Sequence, residues 1–401
     1  MLMLAFTALI IIVLIDPSDR ITHLKVPVFC AVFLLWVAIR MCTGDAVRVG
    51  RIHILAFLVS IGIPLTSLLI GLLEDNSIDL NIAIGRAKSY LFFALLVVII
   101  DEKIDLEEFA PLTGVVAVIM EVVFVVYLFS PHTFAELYQY TIEKDNMFIS
   151  TRRDVGFGMF YYKTSATIVF VLALCFQRVE DGRHRMQNLL LACGCSFALL
   201  LSGARANLMG GFLICMCYCF RWLRRKVGYL AAYSVVTVVV VVSLSYVVNS
   251  WSSGSGNKES NDIKYAHLIS YSNIFMDRPS LLLMGEGLGS AFRTKAAPND
   301  SHVYDAELAY IEIVRELGLP MALVVIGAFI MPLYLIKKRG LLAARRNMVV
   351  AYTAYLLMAW SNPLLISSTG IMVLLCMYSV AYVQKGRDRF RPVLVARGVG
   401  V

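Results

Sequence analysis

Apolar residues run through this chain in long stretches separated by short polar clusters, and that spacing predicts a series of membrane-crossing helices. A helix needs about 17–25 apolar residues to cross the hydrocarbon core of a bilayer. Twelve candidate stretches are readable: 1–15, 26–41, 52–73, 82–100, 111–129, 159–176, 187–203, 206–222, 227–249, 308–336, 347–362 and 364–383. A transmembrane β-barrel would instead show segments of about ten residues alternating apolar and polar. Stretches such as 235–248 are apolar on every face, which excludes that pattern. The expected fold is all-α, a polytopic integral membrane protein built as one domain over 1–401. The first stretch lacks a basic leader and a small-residue cleavage site, so it reads as a retained helix.

Composition supports the same class. The 401 residues are 59% hydrophobic and 16% charged, with a mean hydropathy of +0.75. Soluble domains carry about 25% charged residues, so a water-soluble fold is excluded. The net charge of +8 first suggests nucleic acid, but most lysines and arginines fall in the loops 40–51, 177–187, 221–226 and 337–346, in the tail after 384, and at Lys103. Basic residues collect on cytoplasmic loops; the charge therefore reports topology, with both termini inside, and no nucleic-acid partner is expected.

Two loops then face outward. The first, 130–158, carries His132, Glu136, Lys144, Arg152, Arg153 and Asp154. The second, 249–307, lies between the ninth and tenth helices and opens with the turn-rich stretch SWSSGSGNKESND. Within it, residues 263–277 set Ala266, Leu268, Ile269, Ile274 and Phe275 among polar positions, which predicts a short helix lying on the membrane surface. The nine cysteines sit in or beside apolar segments and indicate no disulfide framework. Cys215, Cys217 and Cys219 are spaced by two, about 200° apart on a helix, and cannot converge on one metal. No HxxxH or HExxH pairing points to zinc, so neither metal nor cofactor is expected.

Several charged residues are candidates for chemistry. Arg205 follows a small-residue turn between two apolar helices, in LLLSGARANLMGG. A guanidinium fixed there either snorkels to lipid headgroups or holds a phosphate. Arg86 and Lys88 open the fourth stretch on the same outward side, where they are either interface anchors or a pair suited to a diphosphate. Glu121 interrupts an apolar run near mid-membrane, as a proton relay or as a hydrogen-bonding partner for a neighbouring helix. The glycines of PSLLLMGEGLGSAF read as a tight turn returning the outer loop to the membrane; without a βαβ context they are not a dinucleotide site. Asp300, His302, Asp305 and Glu307 cluster before the tenth stretch. With a helix starting near Asp305, Glu307 would lie in its first turn, either as a general base or as part of an acidic helix start.

Three segments, taken in order and with the hydropathy around them, resemble the O-antigen ligase and polymerase superfamily of bacterial envelope enzymes. They are LLSGARANLMGG, the loop end LLLMGEGLGSAF, and SHVYDAELAYIEIVRELGLPMAL. The resemblance implies saccharide transfer from undecaprenyl diphosphate at the periplasmic face of the inner membrane, without a metal or a nucleotide sugar. It implies that Arg205 binds the lipid diphosphate. Lys264 stands where the family often has a second arginine, with Arg278 a nearby substitute and Arg86 assisting. Ligases place a histidine about eleven residues before the glycine that opens the next helix, here Gly318. Glu307 occupies that position and His302 lies too far upstream, which favours the polymerase branch.

The expectation is an inverting, metal-independent glycosyltransferase that polymerises undecaprenyl-diphosphate-linked oligosaccharide repeat units, with Arg205 and Glu307 as the catalytic pair. His302, Asp305, Arg152 and Arg153 are candidates for the acceptor site. Expected partners are the lipid-linked oligosaccharide, the lipid bilayer and a chain-length regulator. The alternatives are a ligase moving finished polymer to lipid A core and a flippase for the lipid-linked oligosaccharide.

Overall fold

The computed structural model describes residues 1–44, 49–73, 78–106, 109–144, 147–151, 158–229, 255–294, 302–303, 308–361 and 364–383, with the isolated positions 234 and 238. The described residues are about 80% helical. Its helices are α1 (Leu2–Ile15), α2 (Lys25–Thr43), α3 (Arg51–Leu73), α4 (Leu80–Asp101), α5 (Phe109–Phe129) and α6 (Pro131–Glu143). They continue with α7 (Ile168–Glu180), α8 (Arg185–Leu201), α9 (Arg205–Val227), α10 (Ser255–Asp277), α11 (Leu281–Met284), α12 (Ala309–Lys338), α13 (Arg346–Met358) and α14 (Ser368–Tyr382). Among the described residues, α2, α3, α4, α5, α9 and α12 are long and apolar enough to cross a membrane, while α1, α8 and α14 are shorter apolar helices. The stretch expected at 227–249 lies almost wholly outside the described residues.

Local chemistry sets several helix ends. Asp79 caps α4, its carboxylate accepting the Asn81 and Ile82 N–H groups at 2.8 and 3.3 Å. Ser367 caps α14 by accepting the Gly370 N–H at 3.0 Å. Pro131 occupies the first turn of α6, where its missing N–H costs nothing. At the other end of α2, Gly44 takes the left-handed conformation that closes many helices.

The centre of the bundle is α14, buried along its length from Ser368 to Ala381. A helix apolar on every face is one surrounded by others. The outer helices differ: Leu34, Leu65, Leu69, Val122, Leu323 and Ile330 are all exposed. Exposed apolar faces on that scale mark a surface that water does not cover.

The structure departs from three expectations. The stretch 159–176 begins as a strand, because Gly158–Tyr162 (β2) pairs antiparallel with Met147–Thr151 (β1), and α7 starts only after a 3₁₀ turn at Ser165–Thr167. The described part of the turn-rich SWSSGSGNKESND is helical: the helix runs from Ser255 into the expected segment, and the single Gly256 inside it costs only about 1 kcal/mol in helix propensity. The tenth apolar helix starts at Ala309 after Leu308, not near Asp305, so its acidic first-turn residue is Glu312. Glu307 itself lies outside the described residues.

One junction shapes the site below. α12 breaks at Gly318 (φ 73°) ahead of Pro320, which has no N–H to give the carbonyl of Glu316. The glycine-rich loop after α11 supplies what the break removes. Glu286 N–H donates to the Arg315 carbonyl at 2.7 Å, Gly287 N–H to the Glu316 carbonyl at 3.0 Å, and the Ser67 hydroxyl to that same carbonyl at 2.9 Å. Contact is backbone to backbone: a Cβ at Gly285 would lie 2.5 Å from the Glu316 oxygen and the Gly318 nitrogen. The loop is the turn anticipated from its glycines, and it also completes the broken helix.

Candidate functional site

Polar contacts separate the bundle into two ends. α2 begins at Lys25 and reaches Arg40, which forms an ion pair with Glu102 at 2.9 Å; α4 carries Arg86 in its N-terminal half and ends at Asp101, which His53 meets at 2.9 Å. α7 ends at Glu180, 3.3 Å from Arg221 in the last two turns of α9, and α12 ends where Arg339 donates to the Ala381 carbonyl at 3.0 Å. At the other end the first turns of α2, α12 and α14 and the N-terminal half of α4 surround a cavity of about 580 Å³.

Four cations line the cavity: Lys25, Arg86, Lys88 and Lys163. Three acids, Asp19, Glu312 and Glu316, join them, with Ser367 and Ser368 at the start of α14. The acids of α12 are already committed. Arg86 pairs with Glu312 at 3.2 Å and also with Glu316. Arg315, fully buried, donates to both oxygens of Glu312 at 2.9 and 2.7 Å and to Glu286 at 2.5 Å, and it binds the hydroxyl and carbonyl of Ser290. Arg278 closes the chain on Glu286 at 2.9 Å. Three arginines thus balance three glutamates in one network that is buried at Arg315 and reaches the surface at Arg278.

The network ties the outer-loop helix to the bundle. Tyr271 of α10 donates its hydroxyl to Glu312 at 2.6 Å and stacks on Phe292, whose ring also lies 4.8 Å under the Arg315 guanidinium. Burial, and after it the Glu312 charge, push the Tyr271 phenol well above its usual range. With those acids neutralised, the remaining charged lining is three lysines against Asp19, an excess of two positive charges. Lys88 is exposed and has no ion-pair partner among the described residues.

The residues singled out from the sequence divide. Arg86 and Lys88 line the cavity. Arg278 belongs to the carboxylate network, linked to Arg86 through Glu286, Arg315 and Glu312. Arg205 opens α9 at the same end but does not line the cavity: Asn207, two residues on, donates to Ser165 at 2.8 Å and Ser202 at 3.1 Å, beside the turn that follows Lys163. Lys264 is half-buried on α10. Glu121 lies against Gly194 of α8. The backbone of His302 pairs with Arg293 in a two-residue ladder. Glu307, Asp305, Arg152 and Arg153 lie outside the described residues, as does the side chain of His302.

Sequence reasoning missed the working partners. Glu312, Arg315 and Glu316, spaced three and four apart in YIEIVRELG, put three charges on one face at the start of an apolar helix. That spacing was the available signal. Lys25 and Lys163 carried no local motif, and only the fold brings them together. Neither family models, curated proteins nor solved structures match the chain.

Proposed function

We propose that the chain is a membrane glycosyltransferase that polymerises undecaprenyl-diphosphate-linked oligosaccharide repeat units at the end of the bundle that carries the cavity. The observation that supports this reading is the excess of positive charge in a cavity set among helices with apolar outer faces. A lipid diphosphate needs both features, cations for the phosphates and a lipid-facing wall for the chain. In the proposed topology twelve helices cross the bacterial inner membrane, and the cavity and the 249–307 loop face the periplasm.

In the proposed reaction, an acceptor hydroxyl oxygen bonds to the donor's anomeric carbon as the bond from that carbon to the diphosphate oxygen breaks. The diphosphate departs with the electron pair, and the cavity cations stabilise the charge that develops on it, with Arg205 adding positive charge from the same end of the bundle. Glu307, the acidic residue at the position where ligases place histidine, takes the hydroxyl proton. Attack from the face opposite the leaving group inverts the anomeric centre.

The test is charge reversal at the exposed cavity lysine. In cells lacking the native gene, Lys88→Glu should be present at the wild-type level yet leave only core plus a single repeat on gels, while Lys88→Arg makes long polymer. Wild-type chain length with Lys88→Glu would refute the reading. Bare core would indicate ligation instead.

A further inference from the structure

Lys25 is a buried cation in the cavity wall. It is 5% exposed and lines the cavity. Its ammonium donates to the Pro17 carbonyl at 2.6 Å and the Ser368 hydroxyl at 3.0 Å. An ammonium carries three donors, and no other bond from this one falls on a described residue. The nearby acids are used elsewhere. Asp19 accepts the Lys25 backbone N–H at 3.1 Å, and the Asp16 carboxylate holds the α1–α2 turn together by accepting the N–H groups of Arg20, Ile21 and Thr22. Lys25 forms no ion pair with a carboxylate among the described residues. Asp19 and Asp16 act on the ammonium through space without touching it, and burying an ammonium with no carboxylate in contact is costly.

What faces it is the start of α14. This helix of 15 residues begins at Ser368, and Ser367 and Ser368 both line the cavity. Ser367 takes the Gly370 N–H of this first turn, and the helix dipole adds positive potential there. A lysine point charge beside a helix N-terminus is a recurrent phosphate-binding arrangement. The hydroxyl of Thr369, in the same turn and 5% exposed, has no partner among the described residues.

We propose that Lys25 and the first turn of α14 form the seat for one phosphoryl group of the lipid-linked donor. The proposal rests on the reading of the cavity as a diphosphate site and adds its anchoring residues. Arg86 is held in contact by two glutamates, whereas the Lys25 ammonium contacts no carboxylate among the described residues, so it is the better place for the phosphoryl charge. An ordinary phospholipid headgroup offers similar chemistry, and the test separates the two.

The experiment measures binding of undecaprenyl diphosphate, undecaprenol and phosphatidylglycerol to the full chain in detergent, by ligand-induced shift of thermal unfolding, with inorganic pyrophosphate as competitor. Wild type should bind the diphosphate, and pyrophosphate should displace it. Lys25→Met should weaken binding about tenfold or more, the loss of one charge-assisted hydrogen bond, without lowering the stability of the ligand-free protein. Ser368→Asp provides a second route: it supplies a carboxylate beside Lys25 at a helix start that favours acids. It should raise ligand-free stability and weaken the diphosphate by a similar factor. Wild-type affinity in both variants would overturn the proposal, as would Lys25-dependent binding of undecaprenol or equal binding of phosphatidylglycerol. Lys25-dependent diphosphate binding by a protein that elongates nothing in vesicles would refute glycosyl transfer and leave the seat standing. Elongation at the wild-type rate by both variants would do the reverse.

Discussion

Replacing Arg315 with methionine probes the network that joins the outer loop to the bundle. Arg315 is 0% exposed, and Glu286 and Glu312 are 3% and 8% exposed. The substitution keeps much of the side-chain volume but removes five hydrogen bonds and the cation above Phe292. Breaking one partner of a buried ion pair costs about 3–5 kcal/mol, because the surviving charge stays buried. Here Glu312 retains Arg86 and Glu286 retains Arg278, which places the expected loss near the lower figure, about 3 kcal/mol. Equilibrium unfolding in mixed micelles, followed by tryptophan fluorescence, measures it. The triple variant Arg315→Met, Glu286→Gln, Glu312→Gln removes the stranded charges as well and should recover more than half of the loss. Stability of Arg315→Met within about 1 kcal/mol of wild type, or a triple variant no better than the single one, would show that the network does not hold the loop.

Three further outcomes are expected. Arg205→Ala and Glu307→Gln should each leave protein levels intact and eliminate long polymer in complemented cells, with Arg205→Lys recovering only part because bidentate phosphate contact is lost; gels of extracted polysaccharide check this. Gly285→Ala forces a Cβ to 2.5 Å from backbone at φ 78° and should cost about 2 kcal/mol or more in the same unfolding measurement, whereas Gly327→Ala, with nothing within 4 Å, should cost nothing. For Tyr271 the folded state raises the phenol's pKa, so its contribution is complete below the unfolded value of about 10 and declines as pH rises beyond it. Tyr271→Phe should lose about 1 kcal/mol at neutral pH and show a shallower decline in stability between about pH 9.5 and 11 than wild type.

The helices were legible because a chain in lipid must satisfy its backbone hydrogen bonds within each segment, so apolar length translates directly into helix. α2, α3, α4 and α12 lie within a few residues of the stretches read for them. Hydropathy says nothing about pairing between segments, which is why the β1–β2 ladder ahead of α7 went unseen. Nor does it count backbone acceptors: the glycines of MGEGLG announced a turn, but that the turn would bind the carbonyls freed at Gly318 and Pro320 depends on a helix about 30 residues away. Arg86 was recognisable as a cation at a helix start. Its partners Glu312 and Glu316 lie more than 200 positions along the chain, and Lys25 meets Ser368 across 343. Such juxtapositions are products of helix packing, and local patterns carry no trace of them.

The central claim is that the cationic cavity serves glycosyl transfer from a lipid diphosphate. Purified protein in sealed vesicles, supplied with a lipid-linked repeat unit on the cavity side and no ion gradient, tests it most directly. The account predicts that chains longer than one repeat accumulate and that undecaprenyl diphosphate is released with each bond formed. Transfer of the intact lipid-linked unit across the bilayer without any elongation would contradict it.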